Sequence, residues 1–349
     1  MSKVKVGAVG LGMGRHIVKE LDEVPEAEVV AVCDSNPALL KQRAEELGVS
    51  RTFTDYDEML EKAELDAMVV ALPNHLHASM SIKALERGLH VFCEKPLART
   101  AEEVREVVEA AKKADRIVMV DFTMRFWPHA RFLKAAIDEG RVGDVYFART
   151  WWTRNRGIPK PGTWYGQREL SGGGPLVDIG VHRLDLTLWL MGFPKPVTVS
   201  GVTYGRIAEQ IGKKAGIRVD VEDLASGLVR FSNGASLNIT TTWAGNTEKR
   251  EDMGTEIYGT EGGCIHRNVG ESYEFEAKVF GEVCGAYTET VMRSPANRNT
   301  PRAERFVRSI AFGEPPEATA EESLVIAKII DGLYKSARAG KEVGVQEDG

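Results

Sequence analysis

Several short segments of this chain carry residues whose types and spacing permit chemistry. The first is Gly10-Leu11-Gly12-Met13-Gly14, between the apolar run Val4 to Val9 and a helical pattern. Glycines at such a place allow a tight turn and a close approach of backbone to a pyrophosphate. The helix start behind them offers unpaired N–H groups and partial positive charge. In the familiar G-x-G-x-x-G spacing the third glycine comes one residue later; here that position is Arg15. An ordinary glycine turn explains such a loop equally well in isolation. Its context is more specific, because the next apolar run ends at Asp34, about twenty residues on. A carboxylate there accepts hydrogen bonds from adenosine ribose hydroxyls and repels the 2′-phosphate of NADP, so NAD is expected, with NADP as the alternative.

Two further segments, Leu72-Pro73-Asn74-His75-Leu76-His77 and Cys93-Glu94-Lys95-Pro96, follow apolar runs. The carboxyl ends of strands in open α/β sheets are where ligands bind. Lys95 beside a cofactor would hydrogen-bond a substrate hydroxyl and stabilise developing alkoxide. It reads equally as a solvated lysine in a turn stiffened by Pro96. Asp178, His182 and Asp185 interrupt the apolar stretch Leu176 to Met191 at spacings that put them on one helical face. Polar groups among Leu, Ile and Val are hydrogen-bonded or functional, because unpaired burial is costly. A structural histidine, a catalytic one and a ligand set all fit; no further ligand cluster is evident, and no metal is expected. The loop at 151–167 mixes Trp and Arg, and Arg154, Arg156 and Trp164 are candidates to touch substrate. Arg125 is another.

The elements that must position these residues divide the chain in two. Over the first 120 residues, apolar runs (Val4 to Val9, Val29 to Cys33, Ala67 to Leu72, His90 to Cys93, Ile117 to Val120) alternate with amphipathic stretches. The runs are continuous rather than alternating, the mark of parallel strands covered on both faces. Residues 1–122 are thus expected to form a doubly wound, Rossmann-type α/β domain. Residues 123–299 read as an α+β domain on a mostly antiparallel sheet, with a hairpin at Ser232-Asn233-Gly234. Two helical patterns, Arg302 to Phe312 and Glu321 to Ala339, close the chain. Their apolar faces need a partner.

Composition narrows the function class. Of 349 residues 43% are apolar and 28% charged, enough for a sizeable core and a well solvated surface. The net charge of −6, without basic blocks, argues against nucleic acid. No apolar run suits a secretory signal or a membrane span. Cys33, Cys93, Cys264 and Cys284 are widely spaced, so free thiols in a reducing, cytoplasmic setting are expected.

The chain resembles the Gfo/Idh/MocA oxidoreductases over nearly its whole length. The resemblance rests on GLGMGRH at 10–16, LPNHLH at 72–77, HVFCEKPLA at 90–98, DFTMRFWP at 121–128, GGGPLVDIGVHRLDL at 172–186 and EESLVIAKIIDGLYKSA at 321–337. It implies an enzyme that moves hydride between NAD(P) and a secondary hydroxyl or keto carbon of a sugar, sugar derivative or cyclitol. Carried over residue by residue, it makes Lys95, Asp178 and His182 the catalytic group, converging on substrate in the cleft between domains. Gly10, Leu11, Gly12, Met13, Gly14, Asp34, Leu72, Pro73, Asn74, His77, Glu94 and Lys95 would bind cofactor. Lys95, Arg125, Arg154, Arg156, Trp164, Asp178 and His182 would bind substrate, and Gly172 to Gly174 would let backbone pass close to it. The resemblance also implies that the helices at about 300–340 return to the first domain. A homodimer or homotetramer through the second-domain sheet is expected. The alternatives are a glycoside-cleaving enzyme with transient NAD-dependent oxidation and a non-catalytic nicotinamide- or sugar-sensing protein.

Overall fold

The computed structural model describes residues 2–159, 162–293 and 301–345. Lys160 and Pro161 of the Trp- and Arg-rich loop, and residues 299 and 300 at the expected domain boundary, lie outside the described residues. Two compact units emerge, Met1–Asp121 with Thr300–Leu324 and Phe122–Asn299 with Val325–Gly349.

In the first unit strands and helices alternate: β1 (Val4–Val9), α1 (Gly14–Asp22), β2 (Ala27–Cys33), α2 (Pro37–Leu47), β3 (Thr52–Phe53), α3 (Tyr56–Lys62), β4 (Ala67–Val70), α4 (Asn74–Glu86), β5 (His90–Cys93), α5 (Ala101–Ala114) and β6 (Val118–Val120). The strands form one parallel sheet in the order β3-β2-β1-β4-β5-β6. Every residue of β4 is buried, as its unbroken apolar sequence requires. Local chemistry sets the helix ends. The Asn36 side chain accepts from Ala38 and Leu39 N–H with Pro37 at the first helical position, and α2 stops at Gly48 in the left-handed region. The strand order reverses between β1 and β4, and ligands of such sheets bind at the carboxyl ends beside that point. The edge strand β3 has two residues, too few to show a pattern in the sequence.

The second unit contains a 3₁₀ turn (Thr123–Phe126), α6 (Pro128–Asp138), β7 (Val145–Arg154), a second 3₁₀ turn (Trp164–Gly166), α7 (Arg168–Ser171), a π-helical turn (Leu176–Gly180), α8 (Val181–Leu190), β8 (Pro196–Tyr204), α9 (Arg206–Ala215), β9 (Leu224–Phe231), β10 (Ser236–Thr242), β11 (Glu251–Gly259), β12 (Gly262–Asn268), β13 (Phe275–Val283) and β14 (Ala286–Val291). The chain closes with α10 (Arg302–Phe312), α11 (Ala320–Ala339) and β15 (Val343–Gly344). Nine strands form one sheet, β14-β13-β12-β11-β7-β10-β9-β8-β15, antiparallel except for the β7–β10 pair. Ala148, Thr150 and Trp152 on one face of β7 are buried, and α8 and the π-turn pack on this sheet.

The closing helices divide differently from the expectation that all of 300–340 joins the first domain. α10 belongs to the first unit, where Phe306 stacks on Phe92 at 5.3 Å. From Val325 onward α11 belongs to the second. There Leu333 lies over two glycines of adjacent strands; a Cβ on Gly227 would stand 2.4 Å from its Cδ2. Ser336 Oγ accepts from Gly201 N at 2.9 Å, and β15 pairs with β8. An apolar helical face announces that it needs a partner without naming it.

Candidate active site

The glycine loop of the first unit leaves β1 with Gly10 at φ +86°, where a Cβ would lie 2.2 Å from the Ala71 carbonyl oxygen. Only glycine fits there. A Cβ on Gly12 would meet nothing within 4 Å. That open space at the head of α1 is what a pyrophosphate needs. Gly14, early by one position, still performs close packing, since its Cβ would lie 3.0 Å from Ala71 Cβ. The Leu11 side chain is buried, so this residue offers the loop its backbone; Met13 is exposed. Asp34, at the end of β2, accepts from Leu11 N and Asn36 N, each at 2.9 Å. The acid therefore shapes the loop. These residues fit a dinucleotide.

At the ends of β4 and β5, Leu72, Pro73, Glu94 and Lys95 are half-exposed, and Asn74 is buried at the first turn of α4. The Lys95–Pro96 bond is cis. His77 departs from the sequence reading. It is buried, with Nδ1 2.7 Å from the Pro96 carbonyl and Nε2 2.6 Å from the Leu72 carbonyl. Both nitrogens are committed, so the ring is a strut between the two segments rather than a cofactor ligand. Burial lowers its pKa against the pull of those carbonyls. Behind Lys95 lies an acid pair. Glu94 hydrogen-bonds Asp121, and desolvation of its carboxyl, which points inward from the part-exposed residue, together with the Asp121 charge pushes Glu94 up to about 8. Arg302 of α10 holds Asp121 at 2.6 Å and Glu20 at 2.9 Å, tying α10 to the strand ends.

In the second unit Asp178 lies on the π-turn and His182 in the first turn of α8. Single π-turns inserted in helices are frequent at functional sites. Around them Leu176, Val177, Ile179, Gly180, Val181 and Arg183 are all buried, while Asp178 and His182 stay half-exposed. Asp178 accepts from Trp243 Nε1 at 3.0 Å, and the Trp152 ring centroid is 6.0 Å from that of His182.

The remaining expectations sort differently. Asp185 does not share a ligand face with these two. It is fully buried and takes a bidentate fork from Arg125, with Nε at 3.0 and 2.9 Å from its oxygens. Arg125 is 1% exposed, packed against Phe122 and Phe193, and unavailable to substrate. Both were polar interruptions in apolar sequence, and a buried charge needs a charge. Gly173 and Gly174 serve protein packing rather than ligand approach. A Cβ on Gly173 would lie 2.0 Å from Tyr334 Oη, and one on Gly174 2.0 Å from the Glu222 carbonyl oxygen. Arg154 is paired with Glu251, Arg156 is exposed, and Trp164 stacks on Tyr165 at 3.9 Å.

Glu222 and Tyr334 escaped the sequence reading. Glu222 Oε1 accepts from Gly174 N (3.0 Å), Leu176 N (3.3 Å) and Tyr334 Oη (2.7 Å), which anchors the start of the segment bearing Asp178 and His182. Neither residue shows a local pattern; only the acid before two strand patterns was visible. Among the described residues no group of three or more His, Cys, Asp or Glu is arranged to hold a metal, and no helix is long and apolar enough to cross a membrane.

Comparison with known proteins agrees with this geometry. The model of the oxidoreductase family with an NAD-binding Rossmann fold, GFO_IDH_MocA, matches residues 4–122, and the GFO/IDH/MocA C-terminal domain matches residues 130–265. D-glucoside 3-dehydrogenase of Escherichia coli (strain K12) is 31% identical over 325 residues, 91% of this chain and 90% of that protein. Myo-inositol 2-dehydrogenase of Thermotoga maritima is 25% identical over 346 residues, 99% of each chain. The solved structure of levoglucosan dehydrogenase in complex with NADH and levoglucosan superposes with a TM-score of 0.87 at 26% identity, over 99% of this chain and 100% of that one. Parallel sheet, glycine loop, Glu-Lys-Pro turn and Asp178–His182 segment all sit within the matched range, and the chain belongs to the Gfo/Idh/MocA family of NAD-dependent oxidoreductases.

Proposed function

We propose that this protein interconverts a secondary hydroxyl and a ketone on a sugar, sugar derivative or cyclitol, with Lys95, Asp178 and His182 as its catalytic group. The observation that carries the assignment is Asp178 and His182, left half-exposed at a widened turn where every neighbour is buried. NAD supplies the hydride acceptor, held by Gly10 to Gly14, Asp34, Leu72, Pro73, Asn74 and Glu94. His182 takes the hydroxyl proton, since imidazole exchanges protons near neutral pH. Asp178, steadied by Trp243, orients the imidazole or a neighbouring hydroxyl. Lys95 donates to the reacting oxygen and stabilises its alkoxide character. The relatives' names, glucoside, levoglucosan and inositol dehydrogenases, support ring polyols as the substrate class.

The assembly we infer is a homodimer or homotetramer through the outer face of the nine-stranded sheet. Val202, Tyr204 and Tyr258 on that face are 46%, 49% and 39% exposed, and a partner sheet would cover them. Free thiols at Cys33, Cys93, Cys264 and Cys284 support a cytoplasmic setting. The test is a panel of methyl glucosides, levoglucosan and inositols assayed with NAD. Net NADH absorbance is expected; glycoside cleavage without net NADH would favour the eliminating chemistry, and turnover of none would refute the enzyme.

A further inference from the structure

Beyond His182 the second unit carries a built cluster that the catalytic group does not use. Glu251, at the start of β11, stands directly opposite Arg154 in the β7–β11 pairing. Its Oε1 accepts from Trp152 Nε1 at 2.5 Å, Arg154 Nε at 2.8 Å and Tyr273 Oη at 3.1 Å. Arg154 Nη2 in turn donates to Tyr273 Oη at 3.0 Å, and its guanidinium lies 5.3 Å over the Trp152 ring. The turn that presents Tyr273 is braced from beneath. Buried Asn268 donates to the Glu251, Gly270 and Ser272 carbonyls and accepts from Met253 N. Tyr273 is therefore pinned by its hydroxyl and its loop, yet it is 58% exposed. An aromatic ring pinned through its hydroxyl and more than half exposed suits stacking on the C–H face of a sugar ring. The Nη1 hydrogens of Arg154 have no partner among the described residues. Trp152, whose ring is 6.0 Å from that of His182 and 6.3 Å from that of Tyr273, joins this cluster to the proposed base.

We propose that Tyr273 and Arg154, held by Glu251, form a specificity subsite that selects a neutral polyhydroxylated ring over its uronate or phosphate counterpart. The inference rests on the oxidoreductase reading, in which His182 acts on the substrate. Its electrostatic ground is that the Arg154 charge is already met by the Glu251 carboxylate. The free Nη1 hydrogens hydrogen-bond a neutral hydroxyl without disturbing that pair. An anionic ligand must share the guanidinium with Glu251, at a like-charge cost in a partly desolvated place. Asp178 adds negative charge to the same unit. Arg156, two residues on, is exposed and bonded only to the Asn155 carbonyl, so it lies outside this compensated cluster.

The experiment compares methyl glucoside, methyl glucuronide and glucose 6-phosphate as substrates with NAD. The wild type is expected to favour the neutral glycoside in kcat/KM by about tenfold or more, the worth of one good polar contact. Tyr273→Ala should raise KM for it about tenfold while lowering kcat far less, and Tyr273→Phe, which keeps the ring, should fall between. Glu251→Gln, with its melting temperature checked, should narrow the neutral-to-anionic ratio about tenfold. An anionic sugar preferred by the wild type, or an unchanged KM in Tyr273→Ala, overturns the proposal. If the wild type forms NADH from none of the three, the oxidoreductase reading is decided on its own account by the wider panel of levoglucosan and inositols. The subsite is then judged by saturation-transfer NMR of methyl glucoside with NADH present. Weaker binding in Tyr273→Ala sustains it; equal or absent binding overturns it.

Discussion

Asp34 braces the glycine loop through Leu11 N, and we propose that the same carboxylate meets the adenosine ribose. Asp34→Ala should weaken NAD binding about tenfold and relax discrimination against NADP, measured by fluorescence titration with both reduced cofactors. Tighter NADP than NAD binding in the wild type would remove the role. His182 needs no contact with adenosine or pyrophosphate. His182→Ala should therefore lower kcat roughly 10²–10⁴-fold, the usual worth of a positioned general base, while NADH affinity changes little. Lys95→Ala should slow turnover as well, and under the proposed shared role the double variant should lose less than the product of the two effects. Near-normal turnover of His182→Ala on a confirmed substrate would refute the assignment. Glu94, at the end of β5, couples folding to pH. Its folded pKa of about 8 lies above the ordinary carboxylate value, so between roughly pH 4 and 8 the folded state binds more protons than the unfolded one. Stability from this group is thus full at low pH and is lost as pH rises through that window. Glu94→Gln should lose less stability than the wild type between pH 5 and 8 in urea titrations; parallel pH slopes would contradict this.

At the scale of elements, the segment from Gly172 to Leu190 is held at both ends by charges from elsewhere in the chain. Glu222 secures its start through the Gly174 and Leu176 N–H groups, and Arg125 secures α8 through Asp185. The latter pair is the more exposed to mutation, because both side chains are almost fully buried. Removing one partner strands a buried charge. Arg125→Ala should cost about 3–5 kcal/mol in chemical denaturation. Replacing both residues with apolar ones of similar volume should recover much of that loss. Equal stability of the single and double variants would show that charge pairing is not the cause. The neighbouring Arg183 has a different solution. It is buried and bonds Thr255 Oγ1 and His266 rather than an acid, and burial pushes it down to about 9.

At the scale of the whole molecule, the nine-stranded sheet has one face covered by helices and another with apolar and aromatic side chains. The Phe147 and Tyr258 rings meet in a tilted pair with centroids 5.5 Å apart, and Arg149 lies over Trp151, so aromatic side chains contact one another across that outer face. The protein is expected to run as a dimer or tetramer in light scattering after size exclusion. Val202→Glu combined with Tyr258→Glu should shift it toward monomer with its fold retained by circular dichroism. A monomeric wild type would refute the assembly.

What the sequence determined by itself is what spacing and composition encode. Continuous apolar runs gave the parallel strands, an Asn-Gly pair gave the β9–β10 hairpin, and Gly10 to Gly14 ahead of Asp34 gave the nucleotide loop. The motifs around Lys95 and Asp178–His182 identified the family. All of these are local patterns, readable because each residue answers to neighbours within a turn or a strand pair. The tertiary structure alone decided where the charges went. Arg125 meets Asp185 sixty residues away, Glu222 meets Gly174 forty-eight away and Tyr334 one hundred and twelve away. It also decided that α11 joins the second unit from Val325 onward, that His77 is a strut, and that Arg154 carries Glu251. A buried polar side chain declares in sequence that it needs a partner; which distant residue satisfies it depends on packing that brings two chain segments to hydrogen-bond distance.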